Sequence, residues 1–117
     1  PRINRLKVIA VEPEDSSVLS GGLPGPHKIQ GIGPGFLPKI LDTDLIDENI
    51  SIANENAFET ARKVAKYEGI PVGISSGAAI AAALEIGSRI NMENKRILVI
   101  VPSFAERYLS TDLFKSF

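Results

Sequence analysis

The 117-residue chain contains no cysteine and a single histidine, His27. Without cysteine there is neither a disulfide framework nor a thiolate nucleophile, and the two shortages together leave Cys/His zinc sites without ligands. An excess of one charge is missing as well: 13 Lys and Arg are scattered among 14 Asp and Glu, for a formal charge of −1. That balance carries no electrostatic footprint for a nucleic acid or another polyanion. No apolar run approaches the roughly 18 to 20 residues that cross a bilayer, so no membrane span is expected. The opening residues, PRINRLKVIAVE, lack the apolar stretch and cleavage site of a signal peptide. These absences suit a cytoplasmic protein. The chain opens on Pro1 without a Met and enters a strand-like run within a few residues, as an excised segment would.

What is present reads as one modest globular domain, 44% hydrophobic and 23% charged. Residues 6–12, LKVIAVE, form a β-branched run stopped by Pro13 and predict a buried strand. Residues 20–38 hold six glycines and four prolines, too many for a regular element. Ile29, Ile32, Phe36 and Leu37 within them argue for an ordered loop that covers something. Residues 48–54 supply a second strand. Asn54 is then placed to cap a helix whose buried face carries Ala57, Phe58, Ala61, Val64 and Ala65, with Glu59, Arg62, Lys63 and Lys66 on the wet side and Gly69 as its stop. A second helix is expected over 76–89, buried on most sides because 78–84 contain no polar residue. Residues 96–102, RILVIVP, are the most strand-like of all and predict an interior strand of a parallel sheet. The alternation predicts an α/β fold in three layers, a mostly parallel sheet with crossover helices on both faces.

Chemistry concentrates in GISSGAAIAAAL, residues 73–84. Unpaired amides at a helix start can be capped by Ser75 or Ser76, or the hydroxyls can turn to a ligand in the crevice at the carboxyl ends of the strands. Two serines exceed what one cap needs. GIGPGF, residues 31–36, fails as a dinucleotide fingerprint because Phe36 stands where the third glycine should be and no strand leads in. Its glycines serve either a close ligand approach or tight packing. His27, with no nucleophile motif beside it, reads as a structural hydrogen-bonder. Glu12 with Glu14, and Asp42 with Asp44, read as solvated acids at strand ends and turns.

Taken together, AVEPEDSSVLSGG, GPHKIQGIGPGF, NENAFETARKVAKYEGIPVGISSGAAIAAAL and ERYLST closely resemble the C-terminal part of the cysteine synthase (O-acetylserine sulfhydrylase) family of fold-type II pyridoxal-phosphate enzymes. The resemblance covers nearly the whole chain in several ordered blocks. It implies that residues 1–117 are the C-terminal segment of the large, cofactor-binding domain. It further implies that Ser75 hydrogen-bonds the pyridine nitrogen of pyridoxal 5'-phosphate, leaving Ser76 as the helix cap, and that Gln30, Gly31, Ile32, Gly33 and Phe36 form a substrate-side loop at the active-site mouth. The reaction implied is β-replacement of the acetate of O-acetylserine by sulfide, giving L-cysteine. A homodimeric parent and docking of the C-terminal tail of serine acetyltransferase are implied too. None of the seven lysines stands in the family's Schiff-base motif, so that lysine is expected upstream, with no catalytic residue in this chain and no activity from it alone.

Cystathionine β-synthase, the nearest competitor, has a cofactor turn more like Gly-Gly-Ser-Ala-Gly than this GISSGAA. The family pattern is broken where Pro-Ser-Ser-Gly or Pro-Asp-Ser-Gly becomes Pro102, Ser103, Phe104 and Ala105. This is either a repacked turn or a narrowed pocket. A catalytically inactive, truncated paralogue kept as a binding module is the alternative from another class.

Overall fold

The computed structural model describes residues 6–115. Two strands, β1 (Ile9–Pro13) and β2 (Glu48–Ile52), pair in parallel with Ile9 opposite Glu48 and Pro13 opposite Ile52. Two helices follow, α1 (Asn54–Lys63) and α2 (Ile74–Gly87). This is the α/β arrangement of parallel strands and helices that the alternation predicts. The connection from β1 to β2 is not a helix, however. It is the glycine- and proline-rich loop with only short 3-10 turns, because backbone at positive φ at Gly21, Gly31, Gly33 and Gly35 cannot propagate a helix.

The core forms where β2 meets the two helices. Ile50 and Ile52 pack with Ala57, Phe58, Ala61, Ile74, Ala78, Ala81, Ala82 and Ile86, and Ile29 descends from the loop to join them, fully buried. The α1–α2 crossing is close because its contact residues are small. A methyl group on Gly77 would lie 2.2 Å from the Ala57 carbonyl oxygen and 2.9 Å from the Ala61 side chain. Backbones that touch in this way leave room for nothing larger than hydrogen.

α1 begins one position differently from the expectation. Ala53 occupies the cap, and Asn54 is already helical with its side chain turned outward as a bridge: its Oδ1 accepts from the Lys28 amide at 3.0 Å and its Nδ2 donates to Asp15 at 3.0 Å. Arg62, expected on the wet face, is half-buried and donates to the carbonyls of Leu113 and Asp112 at 2.6 and 2.7 Å. The helix widens into a turn over Val64–Glu68 and stops at Gly69, whose φ of +69° is the left-handed cap that glycine permits.

Two further expectations fail. The acid at Glu12 is not solvated: it is buried, and its carboxylate accepts from the amides of Leu19 (2.7 Å) and Ser20 (3.0 Å) and from the Ser20 hydroxyl. Residues 96–102 are not a strand. Leu98 is 90% and Ile100 71% exposed, and among the described residues no strand runs alongside to complete a ladder. A parallel strand exists only against a neighbour. α2 is covered on most sides as expected, buried at 74–78, Ala81, Ala82 and Ile86 and half-buried at 79, 80 and 83, with Leu84 left exposed.

Candidate functional site

The site forms where the start of α2 meets the loop and residues 103–105. Gly73 is the cap residue, so the helix starts at Ile74, and neither serine caps it through its side chain. Ser76 instead makes a reciprocal clamp, its fully buried hydroxyl donating to the Ser103 carbonyl at 3.1 Å and accepting from the Ser103 amide at 3.3 Å. This corrects the expectation of Ser76 as a cap. A cap must lie outside the helix, and Ser76 lies in its first turn.

The clamp is part of a short antiparallel contact. The Gly73 amide donates to the Ser103 carbonyl at 2.8 Å, Val72 bridges to Phe104, and the Ala105 amide donates to the Pro71 carbonyl at 2.8 Å. A side chain at Gly73 would strike the Ser103 hydroxyl at 2.2 Å. The departure at Phe104 and Ala105 sits in this contact: Ala105 is buried, whereas Phe104 is 60% exposed and lies outside the residues that line the neighbouring cavity.

Ser75 is different from its neighbour. It is 6% exposed, and its hydroxyl has no hydrogen-bond partner among the described residues. Opposite it is Gly31 at φ +98°, where a Cβ would stand 3.6 Å from the Ser75 Oγ. The loop thus presents bare backbone to a hydroxyl that no protein group claims and that, unlike the sealed and unpartnered Ser103 Oγ, still reaches solvent. Ser75 can donate to, or accept from, a group entering beside Gly31.

The other expected loop residues separate by position. Gln30 lines a cavity of about 300 Å³ with His27, Lys28, Phe58, Ile74, Thr111 and Asp112. Ile32 is half-buried against the core. Gly33 is squeezed against the carboxyl end of β1, where a Cβ would lie 2.5 Å from Pro13 Cγ. Phe36 stands at the surface. The two explanations for the glycines therefore both hold, tight packing at Gly33 and an open approach at Gly31.

Ion pairs frame the cavity. Lys28 Nζ meets Asp112 at 2.8 Å and Lys115 reaches the other carboxylate oxygen, which together hold the Asp112 carboxyl down at about 2. Hydrogen bonding to Asp112 in turn raises the Lys28 ammonium. The described residues include no cluster of three metal-ligating side chains, and no helix long and apolar enough to cross a membrane. The serine pair before an apolar helix is a readable signal in the sequence. The roles of Ser103, Asn54 and Arg62 have none, because their partners are distant in the chain.

Residues 2–103 match the family described as pyridoxal-phosphate dependent enzyme, and the chain belongs to that family. Within it, the chain is 55% identical over 115 residues to cysteine synthase A of Salmonella typhi, an alignment covering 93% of this chain and 36% of that protein. A crystal structure of cysteine synthase from Entamoeba histolytica superposes with a TM-score of 0.95 at 53% identity, over 97% of this chain and 33% of that one. An O-acetylserine dependent cystathionine β-synthase from Helicobacter pylori gives a TM-score of 0.85 at 45% identity, over 97% of this chain and 36% of its own. The chain spans about a third of the length of these relatives.

Proposed function

We propose that residues 1–117 are the C-terminal segment of the large domain of a cysteine synthase, which replaces the acetate of O-acetylserine by sulfide to form L-cysteine. The observation that carries this reading is the unpartnered Ser75 hydroxyl facing the bare backbone of Gly31, in a chain 50–55% identical to cysteine synthases. A pyridine nitrogen needs one hydrogen-bond partner, and Ser75 is suited to supply it. When bound, pyridoxal phosphate provides the electron sink that lets acetate leave the β-carbon.

A neutral hydroxyl at Ser75, unlike a carboxylate, leaves the ring nitrogen unprotonated and so favours loss of a leaving group over long-lived carbanion chemistry. The buried Ala78, Ala81 and Ala82 behind it keep water from that face. Gln30, Gly31, Ile32, Gly33 and Phe36 form the substrate-side loop. The lysine that carries the cofactor belongs to a segment outside this chain, so the chain has no activity by itself. The exposed run 97–101 agrees with a sheet completed from that segment. The same reading assigns the parent a cytoplasmic homodimer and a surface for the C-terminal tail of serine acetyltransferase.

Complementation tests it. The chain is combined with the part of the Salmonella typhi relative upstream of the matched region, and cysteine formation from O-acetylserine and sulfide is followed. Activity is expected only from the combination, and borohydride reduction with pyridoxal phosphate is expected to label the upstream part. A stoichiometric adduct on a lysine of this chain would overturn the assignment. Ser75→Ala in the complemented enzyme should slow acetate release roughly tenfold, the worth of about one hydrogen bond, with cofactor retained. Side-by-side assay with homocysteine in place of sulfide tests the second reading, which the 45% identity to the cystathionine β-synthase supports.

A further inference from the structure

The loop that faces Ser75 is anchored at few points, and one side chain spans it. His27 Nδ1 accepts from the Ile29 amide at 3.1 Å, and its Nε2 lies 2.8 Å from the Gly33 carbonyl oxygen. An acceptor at Nδ1 obliges Nε2 to carry the proton, so the neutral Nε2–H tautomer satisfies both contacts at once. The ring closes a staple across Gln30, Gly31 and Ile32. Gly33 is held on its other side by Pro13 at the end of β1, and a Cβ there would meet both Pro13 (2.5 Å) and His27 Nε2 (2.9 Å). Just after the ring, the Lys28 amide is tied to Asn54, so the near leg of the staple is fixed to α1.

We propose that His27 is a positioning residue: by bridging Ile29 and Gly33 it holds the intervening backbone in the one arrangement that sets Gly31 opposite Ser75. The staple itself follows from the geometry alone, while its consequence for substrate rests on the cysteine synthase reading. His27 touches no reacting atom in this role. It acts through the backbone, which is where Gly31 has no side chain to hold itself in place.

Each contact can be removed singly. His27→Asn retains an acceptor near the Nδ1 position and loses the reach to Gly33, whereas His27→Gln retains a donor near the Nε2 position and loses the bond to Ile29. Amide hydrogen exchange on the whole chain is the first readout. In H27N, residues 31–35 should exchange about fivefold faster, as loss of one hydrogen bond implies, with Ile29 little changed. In H27Q the pattern should invert. The second readout is the ring nitrogen pair of the unaltered chain by long-range proton–nitrogen correlation, expected to show the Nε2–H tautomer. In the complemented enzyme, H27N should raise the KM for O-acetylserine about fivefold with kcat nearly unchanged, and H27Q should restore it. An Nδ1–H tautomer, an H27N variant that matches the unaltered chain over 31–35, or unfolding of both variants would each overturn the proposal. Failure of complementation with the exchange pattern intact would count against the enzymatic reading instead.

Discussion

Residues 78–82 and residues 97–101 both lack any polar side chain, and the structure treats them oppositely. In the first, Ala78, Ala81 and Ala82 are buried where α2 crosses α1; in the second, Leu98 and Ile100 stand almost bare. The difference is the availability of a partner. α2 forms its own backbone hydrogen bonds and needs only a surface, which α1 supplies at Ala57 and Ala61, against Gly77. A strand needs a neighbour for its backbone before its side chains can be covered. Hydropathy therefore reports what a segment can bury, and local topology decides whether it does so within these residues.

The crossing of α1 and α2 is where a substitution should cost most. Gly77→Ala places a methyl group against the Ala57 carbonyl and should destabilise the chain by about 2 kcal/mol, read as a lower midpoint in urea unfolding. The exposed run should answer differently. Leu98→Lys is expected to change the stability of the chain alone by less than about 0.5 kcal/mol, because the side chain already stands in water. The same substitution should sharply weaken complementation, where a lysine would have to be buried. A large stability loss in the chain alone would mean that 97–101 packs more than its exposure shows.

The smallest effect concerns the segment that lies over α1 near the cavity. Asp112 is held below its ordinary 3.8 by hydrogen bonds from Lys115 and Lys28. A depressed carboxylate stabilises the fold above its unfolded value and loses that contribution as pH falls through the folded one. Stability should thus decline between 3.8 and about 2, modestly for so exposed a pair, and Asp112→Asn should flatten that part of the profile. A carboxyl carbon titration of Asp112 by NMR checks the value directly.

Much of the candidate site is legible in the linear chain. The adjacent serines mark the start of α2, the glycines mark a loop under tight constraint, and His27 reads as a hydrogen-bonder, as its two contacts bear out. The burial of Glu12 is not legible, because alternation along a strand says which way a side chain points and not that a returning turn will offer it two amides and a hydroxyl. Asn54 and Ser76 escape the same reading for a related reason. Their composition suits caps, but partners 26 and 27 residues away claim their side chains.

The order of the first strands and helices, the irregular loop, the glycine stop at Gly69 and the family to which the chain belongs are all written in the sequence. These are local or cumulative properties: backbone preference, periodicity and a run of matching residues. Tertiary structure alone settles that Ser75 is left free while Ser76 is spent on Ser103, that Gly31 rather than Gly33 faces the hydroxyl, and that 97–101 stays uncovered. Each of those depends on which distant segment arrives within hydrogen-bonding distance, about 3 Å, and a linear pattern carries no such distances.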